Sequence, residues 1–206
     1  MSNYQATSLS KETQVLQILR LEGIVRAKEF RERGIHQEYL RRLLNLGLIT
    51  RSGRGIYTLS NADLTSNQSL FEACVRVPHG IVCLLSALRF HNLTTQAPFE
   101  IWMAIDNKAR LPKDELLLLH IVYMSGQALT AGVEEHFIVG QQLRVYNIPK
   151  TVVDCFKYRN KIGLDVALEA LRETWTQRRC TMDELWHYAK LCRMANVMRP
   201  YLESLI

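Results

Sequence analysis

The chain has 206 residues, enough for one large domain or two small ones. An apolar fraction of 48% and a charged fraction of 22% belong to a folded globular protein and exclude a disordered one. The formal net charge of +6 is unevenly placed: residues 1–60 hold ten Lys/Arg against five Asp/Glu, residues 61–206 sixteen against fifteen. A local basic surplus on a small unit favours a polyanionic partner, with nucleic acid the first candidate.

The opening stretch "MSNYQATSLSKETQ" is polar and has no signal-peptide core, and the longest apolar run, "LLLLHIVYM" (Leu116–Met124), is far short of the ~20 residues of a membrane helix. A cytoplasmic protein without membrane contact is therefore expected. The cysteines, Cys74, Cys83, Cys155, Cys180 and Cys192, are odd in number, scattered and without a CxxC pair, so they read as free thiols in the core.

In chain order, "SLSKETQVLQILRLEG" starts a helix at Ser10, with Val15, Leu16, Ile18 and Leu19 spaced for one buried face and Gly23 as the stop. "IVRAKEFRERG" gives two apolar residues and then a short helix with Ala27 and Phe30 inward. A third helix runs from Ile35 to Leu46 with Leu40, Leu43 and Leu44 as its core stripe. Gln37, Glu38, Arg41, Arg42 and Asn45 fall on the opposite face. "LITRSGRGIYTLS" then reads as a two-stranded hairpin tipped by "RSGRG".

Three short helices and a basic hairpin are the parts of a winged helix-turn-helix. The third helix would enter the major groove, and Arg51, Ser52 and Arg54 would hold the backbone beside it. Arg, Asn and Gln suit bidentate contact with guanine and adenine. Glu38 would repel phosphate unless it meets a cytosine amino group. The bland alternative is a winged helix that contacts only proteins.

"SNADLTSNQS" (Ser60–Ser69) is polar and aperiodic and reads as a linker, dividing the chain into a DNA-binding domain over residues 1–62 and a second domain over 63–206. In the second, "LFEACVRV" and "GIVCLLSALRFHNL" read as helices broken at Pro78-His79-Gly80. Strand-like runs "FEIWMAI", "LLLHIVYM", "HFIVG" and "LRVYNI" follow. Helices return in "PKTVVDCFKYRNKI", "GLDVALEALRETWTQ", "TMDELWHYAKLC" and "VMRPYLESLI". The fold class is α+β: an N-terminal winged helix-turn-helix followed by a larger α+β domain with a small mixed sheet and C-terminal helices.

No phosphate loop, GxSxG or GxGxxG is present, and Cys180, His187 and Cys192 match no structural zinc spacing. Asp106 with Lys108 and Glu100 is the nearest approach to a nuclease site, and a turn with solvated charges explains it better. The expectation is a non-enzyme without metal or cofactor. In "IPKTVVDCFKYRNKIGLDVALEALRE" (Ile148–Glu173), Pro149 suits a first helical turn and Val152, Val153 and Phe156 face inward. That leaves Lys150, Asp154, Lys157 and Arg159, with Lys161, as a mainly basic surface, with Lys150 and Asp154 as a surface ion pair.

Three blocks together resemble the AbiEi antitoxins, the regulator half of type IV toxin–antitoxin pairs: the wing from Leu43 to Tyr57, "LLSALRFHNLTTQAP" (Leu84–Pro98), and "KTVVDCFKYRNKIGLDVALEALRE" with Thr151 and Asp154. The family more often has Arg where Lys150 stands. The resemblance implies an autorepressor that binds inverted repeats of its own promoter in double-stranded DNA; because one winged helix covers only about half of a two-fold site, two copies are expected there. It also implies an antitoxin second domain that counters a nucleotidyltransferase-like toxin, and no cofactor. A different class of function is a winged-helix transcription factor whose second domain senses a small molecule near His120, Tyr123 and Tyr146.

Overall fold

The computed structural model describes residues 10–53, 55–60, 68–96, 98–110, 118–138 and 141–205. Helix α1 (Lys11–Glu22) is capped by Ser10, whose Oγ accepts the Thr13 N–H at 3.2 Å, and it stops at Gly23. Strand β1 (Ile24–Arg26), helix α2 (Ala27–Glu32), helix α3 (Gln37–Asn45) and strands β2 (Ile49–Gly53) and β3 (Ile56–Leu59) follow. The chain turns between α2 and α3 at Gly34, whose φ of +71° is a left-handed conformation that a side chain would strain. His36 caps α3, its Nδ1 accepting the Glu38 N–H at 3.3 Å.

The sheet is antiparallel and ordered β1-β3-β2, so the expected two-stranded wing carries a third strand. Ile24, Val25 and Arg26 supply it, paired with Thr58, Tyr57 and Ile56. Three residues are too few to show an alternation, which is why the sequence reads them only as a lead-in to α2. Val15, Leu19, Val25, Phe30, Leu40, Leu43, Ile49 and Tyr57 close the core of this module, with Phe30 edge-on to Tyr57 at 6.3 Å.

The remaining chain forms α4 (Gln68–Arg76), β4 (Ile81–Val82), α5 (Leu84–Phe90), β5 (Ile101–Asp106), β6 (Leu119–Met124), α6 (Gln127–Thr130), β7 (Val133–Ile138) and β8 (Gln141–Tyr146). Helices α7 (Ile148–Lys157), α8 (Arg159–Ile162), α9 (Leu164–Thr176), α10 (Met182–Leu191) and α11 (Ala195–Glu203) complete it. The sheet order is β6-β5-β4-β8-β7, with β5–β6 and β4–β8 parallel and the other pairs antiparallel. The architecture is thus α+β, a winged helix-turn-helix followed by a mixed sheet and C-terminal helices. The expected domain limit at residues 62/63 falls within 61–67, outside the described residues.

Strand β4 lies inside a run read as helix. Its two residues sit mid-sheet, Val82 beside both Met103 and Val145, and both are buried. A strand covered on both faces has no polar alternation to betray it. One face of the sheet is covered by α4, and there Ile24 and Ile56 of the first module join Leu70, Phe71, Val77, Met103 and Val145 in one apolar cluster. The other face is covered by α5 and α7, with α9, α10 and α11 behind.

Helix α7 corrects one expectation. Lys150 and Asp154 are not on the surface; both side chains are 0% exposed, with Lys150 Nζ 2.5 Å from Asp154 Oδ2. Neighbouring helices and the sheet enclose α7 from Pro149 to Phe156, so it has no solvent face there. An i,i+4 charge pair looks the same in sequence whether wet or dry, hence the misreading. Lys150 Nζ also lies 4.0 Å from the centre of the Tyr146 ring, and the Cys192 thiol donates to Asp154 Oδ1 at 3.8 Å. Burial pushes the Asp154 carboxyl above its ordinary range against the pull of Lys150. Gly132, at φ +72°, lies so close that an added Cβ would meet Lys150 Cβ at 2.9 Å. Lys157 and Arg159 are half-buried, and Lys161 is exposed.

Removing one member of a buried pair strands the other charge, at a cost of about 3–5 kcal/mol, whereas replacing both with apolar residues is often neutral. Lys150→Met should therefore lower the urea midpoint strongly, and Lys150→Met/Asp154→Leu should recover most of the loss. Equal midpoints for the single variant and the wild type would rule out the buried pair.

Candidate nucleic-acid interface

Helix α3 lays Leu40 and Leu43 into the core, so rotation by one or two residues turns Gln37, Arg41, Arg42 and Asn45 to solvent. The Arg41 and Arg42 side chains are 72% and 59% exposed. Leu44, expected in the core stripe, is only half-buried. It lines a groove of about 420 Å³ together with His36, Gln37, Glu38, Arg41, Arg51 and Tyr57. One wall is the Gln37–Arg41–Leu44 row of α3, spaced i, i+4, i+7; the other is β2, where Arg51 stands opposite Tyr57 in the sheet register. Helix and wing thus present cationic side chains to one concavity.

Tyr57 is core rather than ligand: it is 3% exposed. Arg42 belongs to the other flank of α3. Its Nη1 lies 3.6 Å from Glu12 of α1, and its guanidinium is 5.9 Å from the Tyr39 ring centre. Arg41 and Arg42 therefore serve two different flanks, as their adjacency demands.

Glu38 stands between them, with Oε1 3.1 Å from Arg41 Nη2 and 3.7 Å from Arg42 Nε. Exposed pairs of this kind contribute under about 1 kcal/mol. They cost each arginine little of its capacity for other acceptors, since a guanidinium has five N–H donors. Glu38, read from the sequence as a charge that would repel phosphate, lies within ion-pair distance of both arginines. Ser52 is placed by its backbone in β2, where the register shifts between Arg51 and Gly53, and Arg54 lies outside the described residues.

The rival sites do not assemble. Glu100 precedes β5 and hydrogen-bonds His120 at 2.9 Å, while Asp106 ends the same strand and accepts the Lys108 N–H at 2.8 Å. A strand of that length separates them by roughly 20 Å at ~3.3 Å per residue, too far for a shared nuclease centre. His120 stacks on Trp102 at 3.7 Å, Tyr123 points to the opposite face of β6, and the buried Tyr146 hydroxyl donates to Leu129 O at 2.8 Å. Among the described residues no group of three or more His, Cys, Asp or Glu is placed to hold a metal, and no helix is long and apolar enough to cross a membrane. All five cysteines are free thiols, and four of them are buried.

Residues 14–60, from α1 through β3, match the family described as "Transcriptional regulator, AbiEi antitoxin". The resemblance read from the sequence holds for this module. The crystal structure of the RV2827C protein from Mycobacterium tuberculosis has a similar fold, with a TM-score of 0.62 over 88% of this chain and 72% of that one. At 14% identity that likeness concerns the fold alone. No curated protein matches the chain.

The groove's charge makes a prediction independent of any particular partner. On immobilised heparin, Arg41→Ala and Arg51→Ala should each elute at lower salt than the wild type, and Glu38→Gln at higher salt. Co-elution of all four would show that the groove contributes nothing to polyanion binding.

Proposed function

We propose that this chain, whose first module matches the AbiEi antitoxin regulators, represses its own promoter and counters a nucleotidyltransferase-like toxin. The DNA-binding unit covers residues 1–62 and the antitoxin unit 63–206. Gln37, Arg41 and Asn45 read the major groove. Arg42 works from the α1 flank, and Arg51, Ser52 and Arg54 hold phosphates from the wing. The carrying observation is the groove lined by both Arg41 of α3 and Arg51 of β2. A major groove ~12 Å wide admits such a helix while the wing lies along the neighbouring backbone. The target is double-stranded DNA with inverted repeats, each taking one copy of the chain. The setting is the cytoplasm, and no catalytic step is assigned.

A second reading has one observation in its favour. A cleft of about 610 Å³ at the end of β6 is lined by Ser125, Gln127, Lys157, Cys192 and Arg193. An effector-sensing regulator would use it for a small anionic metabolite. A thermal-shift screen of such metabolites checks this: a rise in Tm that Arg193→Ala removes favours the sensor, and a flat screen discards it.

In operator titrations over a salt series, log K falls by about 0.9 per log unit of salt for each phosphate neutralised. Arg41→Ala and Arg51→Ala should each flatten the slope by about that amount. The double variant should lose promoter repression in cells yet still protect them from the toxin. An unchanged slope would discard the groove assignment, and loss of protection would place antitoxin activity in the DNA-binding unit.

A further inference from the structure

Strand β6 is the outer strand of the five-stranded sheet, and among the described residues no strand pairs with its outer side. Natural sheet edges are usually blunted by charge, proline, a bulge or a covering element. The opposite edge, β7, carries Glu134 and Glu135. Strand β6 reads Leu-His-Ile-Val-Tyr-Met, with no Pro, Lys, Arg, Asp or Glu, and its His120 is held on the sheet face by Trp102 and Glu100. Its register with β5 runs unbroken from Leu119 to Met124, without a bulge to twist it away.

The backbone pattern fixes which groups face outward. Leu118 O accepts the Ile101 N–H at 2.8 Å, and Met124 O accepts the Asn107 N–H at 3.1 Å. The even-numbered residues of β6 therefore turn their peptide groups toward β5, leaving the N–H and C=O of Leu119, Ile121 and Tyr123 directed away from the sheet. Tyr123 is 47% exposed, and Leu119 and Ile121 are partly so.

We propose that this edge docks a second copy of the same chain, antiparallel, about a two-fold axis at Ile121. The three outward residues are symmetric about Ile121, so such a pairing closes about six hydrogen bonds, all between strictly opposite residues. Ile121 meets its own counterpart, and each Leu119 meets a Tyr123, an aliphatic–aromatic pairing of the kind that stabilises antiparallel strands. On the other face His120 lies opposite Val122. No like charges meet, and this self-complementarity is what selects a second copy over an unrelated strand. The product is one continuous sheet built from two five-stranded halves. The β6 edge is separate from α3, so the pairing stands whether or not that helix binds DNA.

Sedimentation velocity on the full chain without DNA tests it. With rising concentration the 23.8 kDa monomer should give way to a species of twice that mass. Ile121→Lys, which sets two ammonium groups against each other, should abolish that species, whereas Ile121→Thr, still β-branched, should keep it. Tyr123→Lys changes an already exposed residue and should also give a folded monomer, so a failure of Ile121→Lys to fold does not decide the matter. Glu135→Lys on β7 should change nothing. Hydrogen exchange supplies a second readout: the Leu119, Ile121 and Tyr123 amides should gain protection as concentration rises. A wild type that stays monomeric with those amides open at every concentration overturns the proposal, and would leave the edge to a foreign strand. A dimer that survives both lysine variants overturns it equally.

Discussion

The cationic groove exists because Leu40 and Leu43 are clamped between α1 and the wing sheet. Burying each leucine contributes roughly 1.5–3 kcal/mol, several times the value of any ion pair on the exposed face. This apolar contact fixes the rotation of α3 about its axis, and the rotation fixes everything polar: Arg41 toward the wing, Arg42 toward Glu12, Glu38 between them. The charged residues decorate a geometry that they do not create. A change that rotated α3 by one residue, about 100°, would carry Arg41 out of the groove although every charge remained.

The same hierarchy explains what the sequence could disclose. The period of leucines in α3 follows from which side is buried, so that helix and its inward face are legible; Ser10 and Gly23 bound α1 as the pattern puts them, and Val152, Val153 and Phe156 are buried as expected. The sides of α3 that carry Gln37 and Arg41 were legible for the same reason. Strands β1 and β4 were not, because three and two residues acquire strand character only from partners distant in the chain.

Lys150 and Asp154 were the instructive failure. A charged residue off the apolar stripe is expected to face water. Helix α7 is surrounded instead, and its polar residues are answered internally: Asn147 caps the helix and donates to the Tyr188 hydroxyl, Thr151 and His91 both donate to Tyr146 O, and Asp154 takes Lys150 and a thiol. Hydrophobic residues of similar volume would pack there at no worse energy. A network with every member satisfied does what an oily core does less well, which is to admit one arrangement of α7 against the sheet.

The two modules meet through strand β3. Tyr57 points into the winged-helix core while Ile56, its neighbour, sits among Leu70, Phe71 and Val145 beneath the larger sheet. Adjacent residues of a strand face opposite ways, so one strand belongs to two cores at once. The wing is therefore packed against the second unit. From Ile56 the contact chain runs through α4 to β4 and β5 and ends at β6, the outer strand. In a pair joined at that edge, the separation of the two α3 helices would be fixed by packed protein. The spacing of operator half-sites would then be a property of the sheet, whereas copies meeting only on DNA would accept whatever spacing the duplex offered.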